Sequence, residues 1–242
     1  MPELRSRQTG AAHIKKLVLA ALFSALAYVA TILTAWIRVS GFLTFDAKDT
    51  LITVAGLVLG PVYSILISLL VSLIEIITIP ETGFWGFLMN FLSTAAFAGV
   101  CSLIYKYKKN LKGACIGLVS SVFATTAVMA LLNLFVTPIY TGLPTETIAK
   151  MIPTLFLPFN FTKAVLNSAL VLIIYKPVSR ALKATKMMPD TSSASASDTA
   201  GDTSAKRRKM LLNLAVTGTG LLLVAISVFV LIFVLDGSFS FK

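Results

Sequence analysis

The sequence predicts an all-α polytopic membrane protein, a six-helix bundle followed by a seventh transmembrane helix. Three observations predict it. Hydrophobic residues fill 57% of the 242 positions and charged ones only 13%, a balance foreign to soluble domains. The apolar residues gather into runs long enough to cross a bilayer. The basic residues behind the net charge of +11 form clusters between runs, and these fall on one side when the runs are counted as crossings.

Residues 1–13 read as a cytoplasmic N-terminal tail with Arg5 and Arg7, and residues 14–186 as a six-helix membrane domain. The first helix covers about 14–37 and lacks the small-residue cleavage site of a signal peptide. A loop, "RVSGFLTFDAKD", carries Arg38, Asp46, Lys48 and Asp49. The second helix, about 47–59, stops at Gly60-Pro61. At about 1.5 Å per residue it reaches only about 20 Å, less than a roughly 30 Å hydrocarbon core, so it must be tilted, extended into the loop or sheltered by neighbours. The third helix spans about 61–79, the fourth 84–105, the fifth 113–137 and the sixth 148–175, with Pro153 and Pro158 interrupting the first half of the sixth. Residues 187–209, rich in Ser, Ala, Thr and Asp and closed by "KRRK", read as a disordered cytoplasmic linker. Residues 210–242 supply the seventh span and a short external tail. Lysines 106, 108, 109 and 112, with those after the sixth helix, make the N-terminal side cytoplasmic in a multi-pass cell-membrane protein.

The basic charge is therefore topological and does not point to nucleic acid. Gly218 and Gly220 of "VTGTGLLLV" are followed by no lysine, so they are packing residues of the seventh helix and not a phosphate loop. With no P-loop anywhere, the chain does not hydrolyse ATP by itself. Its single histidine, His13, precedes the spans, and no acidic pair lies close in sequence within them. No catalytic residue, metal ligand or cofactor is predicted. Cys101 and Cys115 read as small packing residues near cytoplasmic helix ends.

The polar residues inside the spans carry the functional signal: Glu75, Asn90, Asn133, Asn160, Lys163 and Asn167. Lys163 is the one charge between Lys150 and Lys176, and an ammonium at mid-depth costs about 2.5–3.5 kcal/mol on insertion scales. Asn160, Lys163 and Asn167 fall at i, i+3 and i+7, on one helix face. Pro158 just before them predicts a broken helix lining a cavity. Two readings of Lys163 stand together, a ligand-reading group and the partner of Glu75 in an ion pair. Asn90 and Asn167 fit interhelical hydrogen bonding equally well.

"FDAKDTLITVAGLVLGPVYSILISLLVSLIE", "MNFLSTAAFAGVCSLIYK", "LLNLFVTPIY" and "LPFNFTKA", in this order, resemble the riboflavin-specific S components of energy-coupling factor (ECF) transporters over about residues 14–186. The resemblance implies capture of riboflavin, or a close flavin such as FMN, near the outer face for uptake. It also implies a membrane coupling subunit and two ATPases as partners, with flavin as cargo rather than cofactor. By motif, Asn133, Asn160 and Lys163 would hold the flavin ring, Asn90 is a further candidate, and Phe42, Phe45 and Trp85 would meet the ring's apolar faces. Glu75 joins this set through Lys163. Ala21 and Ala25 of "LAALFSALAYVA" would dock the coupling subunit; packing within the chain's own bundle explains such a small-residue face as well. The seventh helix has no counterpart in the six-helix pattern. Two other functions compete: a stand-alone ion-coupled transporter with Glu75 as proton carrier, and a membrane assembly subunit whose polar residues only join helices.

Overall fold

The computed structural model describes residues 2–35, 37–39, 43–79, 83–184, 203–234 and 237–239. The fold is all-α, and six helical segments among the described residues are long and apolar enough to cross a membrane: 13–34, 61–78, 83–107, 111–141, 145–178 and 214–232.

Helix α1 (Pro2–Thr34) runs back through the segment expected as a tail. Its Leu19, Phe23, Ala27 and Thr31 recur every four residues and are buried, which fixes its inward stripe. Ala21 and Ala25 lie on the opposite, exposed face. Helix α2 (Lys48–Leu59) is the short second helix, and every residue from Ile52 to Leu57 is buried. Neighbours therefore shelter this short helix, as one of the alternatives expected. Gly60 then turns the chain at φ 108°, a conformation that favours glycine, and Pro61 opens α3 (Pro61–Thr78).

Close approach among α2, α3 and α4 (Gly83–Tyr107) depends on Gly56. A Cβ there would lie 2.8 Å from Ser64 Cβ and 2.9 Å from Ser102 Cβ, whose two hydroxyls share a hydrogen bond of 3.1 Å. Helix α5 (Leu111–Thr141) starts at Asn110, whose side chain accepts from the Gly113 N–H at 2.7 Å, and ends at the left-handed Gly142. Gly117 of α5 lies against the Cys101 carbonyl, where an added Cβ would come within 2.9 Å.

The sixth crossing differs from expectation. Helix α6 (Thr145–Met151), a π-helical stretch (Ile152–Phe156) and α7 (Leu157–Ala184) follow one another without a break. Pro153 and Pro158 each remove an N–H from the ladder, and the chain accommodates them by widening a turn and not by interrupting the helix.

Helix α8 (Thr203–Phe229), with a π-helical extension (Val230–Val234), is the seventh span. It begins inside the predicted disordered linker: residues 203–209 are helical, while 185–202 lie outside the described residues. It packs on α7, where Gly220 meets the Ala169 carbonyl and Ile173 closely enough that a Cβ would sit 3.4 Å and 3.0 Å away. In its π-helical extension Leu231 is buried in a cluster with Phe45, Phe159 and Leu166.

A small antiparallel sheet, absent from the sequence reading, caps this end. The segment between α1 and α2 forms strands β1 (Ile37–Val39) and β2 (Leu43–Thr44), and β3 (Gly237–Phe239) follows α8. The order is β2-β1-β3, with Arg38 opposite Thr44 on one side and Ser238 on the other. The segment after α8 therefore lies on the same side of the membrane as the α1–α2 connection.

In a cysteine-free background, cysteines placed at Thr82 and after Lys242 should both react with a membrane-impermeant reagent applied to intact cells. One at Lys108 should react only after permeabilisation. Protection of the cysteine after Lys242 in intact cells would mean that α8 does not cross.

Candidate functional site

The N-terminal end of α2 holds a cluster of charges that begins with "DAKD", Asp46 to Asp49. Starting the helix at Lys48 turns this lysine into the bundle, where it is 1% exposed. An ammonium taken out of water is tolerated only with carboxylate partners, and Lys48 has two. Its Nζ lies 2.6 Å from both Oε1 and Oε2 of Glu75 on α3 and 2.7 Å from Oδ2 of Asp46. Glu75 also accepts from Thr31 of α1 at 3.1 Å and from the Asn90 amide of α4 at 3.2 Å. Burial alone raises the Asp46 carboxyl, but the charges of Lys48 and then Lys163 outweigh it and hold the group below the usual carboxylate range.

This geometry corrects the ion pair read from the sequence. Glu75 is paired with Lys48, not Lys163, and is a hub joining four elements. Lys48 is correspondingly unavailable to a phosphate. The side chain of Arg38 and the whole of Phe42 lie outside the described residues.

A second set of contacts lays the loop before α2 along α7. Asn167 donates to the Asp46 carbonyl at 3.2 Å and accepts from Thr50 at 2.7 Å, so it joins helices. Phe45 packs against Phe159 and Leu166. These anchors lie on either side of Lys163 in sequence, and Lys163 is half-buried. Among the described residues Lys163 makes no hydrogen bond, and no carboxylate lies within 4.0 Å of its Nζ. Asn160, one turn before it, is buried and donates to the Phe156 carbonyl at the end of the π-helical stretch, 2.7 Å away. Asn133 of α5 is buried as well, donating to Met129 at 2.7 Å and accepting from Thr137 at 3.0 Å. Trp85 packs against Met89, Met129 and Val136, the last two of which share a face of α5 with Asn133. Among the described residues no hydrogen bond joins Asn133, Asn160 and Lys163 to one another.

Beside this cluster the buried Asp49 accepts from the Thr94 hydroxyl of α4 at 2.6 Å; sequence reasoning missed Asp46, Lys48, Asp49, Thr31 and Thr94 as members of the polar centre. The available signal was "DAKD" itself, three charges abutting an apolar helix, together with an unmatched Glu75 in a later span.

The protein family described as "ECF transporter, substrate-specific component" matches residues 15–175. The riboflavin transporter RibU of Staphylococcus aureus (strain TCH60) is 28% identical over 176 residues, covering 70% of this chain and 93% of that one. A solved structure, of the S component of a bacterial ECF transporter, superposes with a TM-score of 0.61 at 28% identity, covering 71% of this chain and 99% of its own. Helix α8 follows the segment that the family matches.

Lys48→Met leaves two buried carboxylates without their cation. Removing one partner of a buried pair typically costs about 3–5 kcal/mol, so the thermal midpoint in detergent should fall sharply and recover in part when Glu75→Gln is added. Lys163→Met should shift it far less. Equal losses from the two lysine variants would contradict the pairing described above.

Proposed function

The chain belongs to the family of ECF transporter substrate-specific components, and on that premise we propose that it captures riboflavin, or a close flavin, from outside the cell for uptake. It is a multi-pass membrane transport subunit and not an enzyme. The observation that carries the flavin reading is Lys163, a half-buried ammonium without a protein partner among the described residues, one turn from Asn160. An isoalloxazine ring offers carbonyl and imide edges: an ammonium donates to the carbonyls, and an amide can both donate and accept. Asn160 and Asn133 would serve by exchanging their present bonds to their own helices for bonds to the ring, with Phe45 and Trp85 against its faces. Similarity to the RibU of S. aureus supports this choice of ligand.

Uptake in this reading is driven by partners, a membrane coupling subunit and two ATPases. The orientation of α1 supports the assignment of Ala21 and Ala25 to docking. Both are exposed, while Leu19, Phe23 and Ala27 hold the bundle, so packing within the chain does not account for them. A small-residue face lets another helix approach closely. The basic clusters support a cytoplasmic N-terminus, and with it a sheet on the outer side.

The chain purified from its host should be yellow, with the absorbance bands of a flavin. Lys163→Met should weaken riboflavin binding about ten- to a hundredfold, since a hydrogen bond to a charged group contributes about 1.5–3 kcal/mol. A well-folded Lys163→Met variant with unchanged affinity would remove the lysine from the site.

Ala21→Leu and Ala25→Leu should bind flavin normally yet fail to co-purify with the coupling module. Loss of flavin binding in both would return the alanines to the internal packing of the bundle.

A further inference from the structure

Helix α8 and its extension hold on to the bundle by one stripe. Among the described residues its buried positions are Gly220, Ser227 and Leu231, seven and four residues apart on one face, and most of the others are exposed. The stripe runs antiparallel to α7: Gly220 lies against Ala169 and Ile173, and Leu231 lies in the cluster of Phe159 and Leu166. Its far end meets another part of the chain. The same cluster contains Phe45 of the α1–α2 connection, 6% exposed, and Val224 and Val230 of the α8 segment pack against it. Beyond Leu231, β3 pairs with β1, the first strand of that connection, with Ile37 opposite Phe239 and Arg38 opposite Ser238. Strand β2 takes the other edge of β1, so without β3 one edge of β1 would be left with unpaired backbone donors and acceptors. The connection is therefore held from two directions, by α7 through Asn167 on the Asp46 carbonyl and by the C-terminal segment.

This packing bears on how a ring could reach Phe45. A flavin stacked on Phe45 must enter the cluster in which Phe45 is buried, and close-packed side chains leave no space for it until a neighbour withdraws. Phe159 and Leu166 belong to the middle of a long helix and are fixed by it. Leu231 belongs to a segment held by one stripe and a pair of three-residue strands. Elements with few buried contacts open at the lowest free-energy cost, so Leu231 and β3 are the neighbours that withdraw.

We propose that α8 and β3 are a clasp on the α1–α2 connection, that Leu231 is a positioning residue for Phe45, and that a flavin reaches or leaves Phe45 only when the clasp opens. This rests on the flavin reading above. It gives α8, which follows the segment that the family matches, the task of setting the rate of ligand exchange.

Locking β3 to β1 tests it. Arg38→Cys and Ser238→Cys, opposite each other in the strand pair, are placed in a full chain that carries Cys101→Ala and Cys115→Ala. Riboflavin association and dissociation rates are followed by quenching of flavin fluorescence. Oxidation should slow both by about tenfold or more, and reduction should restore them. Crosslinked chains that exchange riboflavin as fast as reduced ones overturn the proposal. So does failure to crosslink both here and with Ile37→Cys and Phe239→Cys, because the strands would then not be paired. Leu231→Ala should act in the opposite sense and speed dissociation about tenfold, with Leu231→Met restoring the slow rate. A lowered thermal midpoint in Leu231→Ala with both rates unchanged would make Leu231 a packing residue only, and overturns the proposal too. A wild-type chain that binds no riboflavin overturns the flavin reading instead. The clasp is then judged by amide hydrogen exchange: residues 37–47 should exchange about tenfold faster in Leu231→Ala than in wild type, and equal exchange overturns it.

Discussion

The bundle is organised around one buried ammonium. Lys48 sits where an unpaired charge would be expelled, and Asp46 and Glu75 hold it there. Glu75 in turn gathers Thr31 and Asn90, so a single centre joins α1, the loop, α2, α3 and α4. The short α2 can be enclosed on all sides because its lysine is satisfied within the protein. With Lys48 and Glu75 committed to each other, Lys163 is left without a carboxylate partner among the described residues, and the proposed ligand-reading role rests on that.

The spans were legible in the sequence because hydrophobic length and the positions of basic residues are properties of the chain itself. The unusual standing of Lys163 was legible for the same reason: it is the lone charge in its apolar stretch. The partner of Glu75 was not, because pairing is decided through space. Lys48 lay in a polar segment that read as loop, and only the start of α2 at that residue turns it inward. Pro153 and Pro158 signalled an irregularity, but whether a proline breaks a helix or widens it into a π turn depends on the surrounding packing. The sheet left no trace at all, since strands of two or three residues carry no periodic pattern. Asn167 could be helix glue or ligand contact by sequence, and its bonds to Asp46 and Thr50 make it glue.

The proposed site and the proposed docking face lie on different surfaces. Asn160 and Asn133 are buried and Lys163 is half-buried, whereas Ala21 and Ala25 face outward from α1. Such a separation lets a partner approach without competing with the ligand. Thr31, on the inward stripe of α1, bonds to Glu75, so the helix that offers the docking face also touches the charged centre beneath the loop.

The pairing of β1 with β3 has a consequence for how the chain is made. β3 lies about 200 residues after β1, a very non-local contact that waits on closure of almost the whole chain. During synthesis the first six crossings can be in place while the sheet is still missing its third strand. The final contacts over the loop, β3 on β1 and Leu231 on Phe45, form only when α8 has entered the membrane. Maturation of the sheet-bearing face is therefore coupled to the last insertion event, and a chain arrested before it would leave that face unfinished.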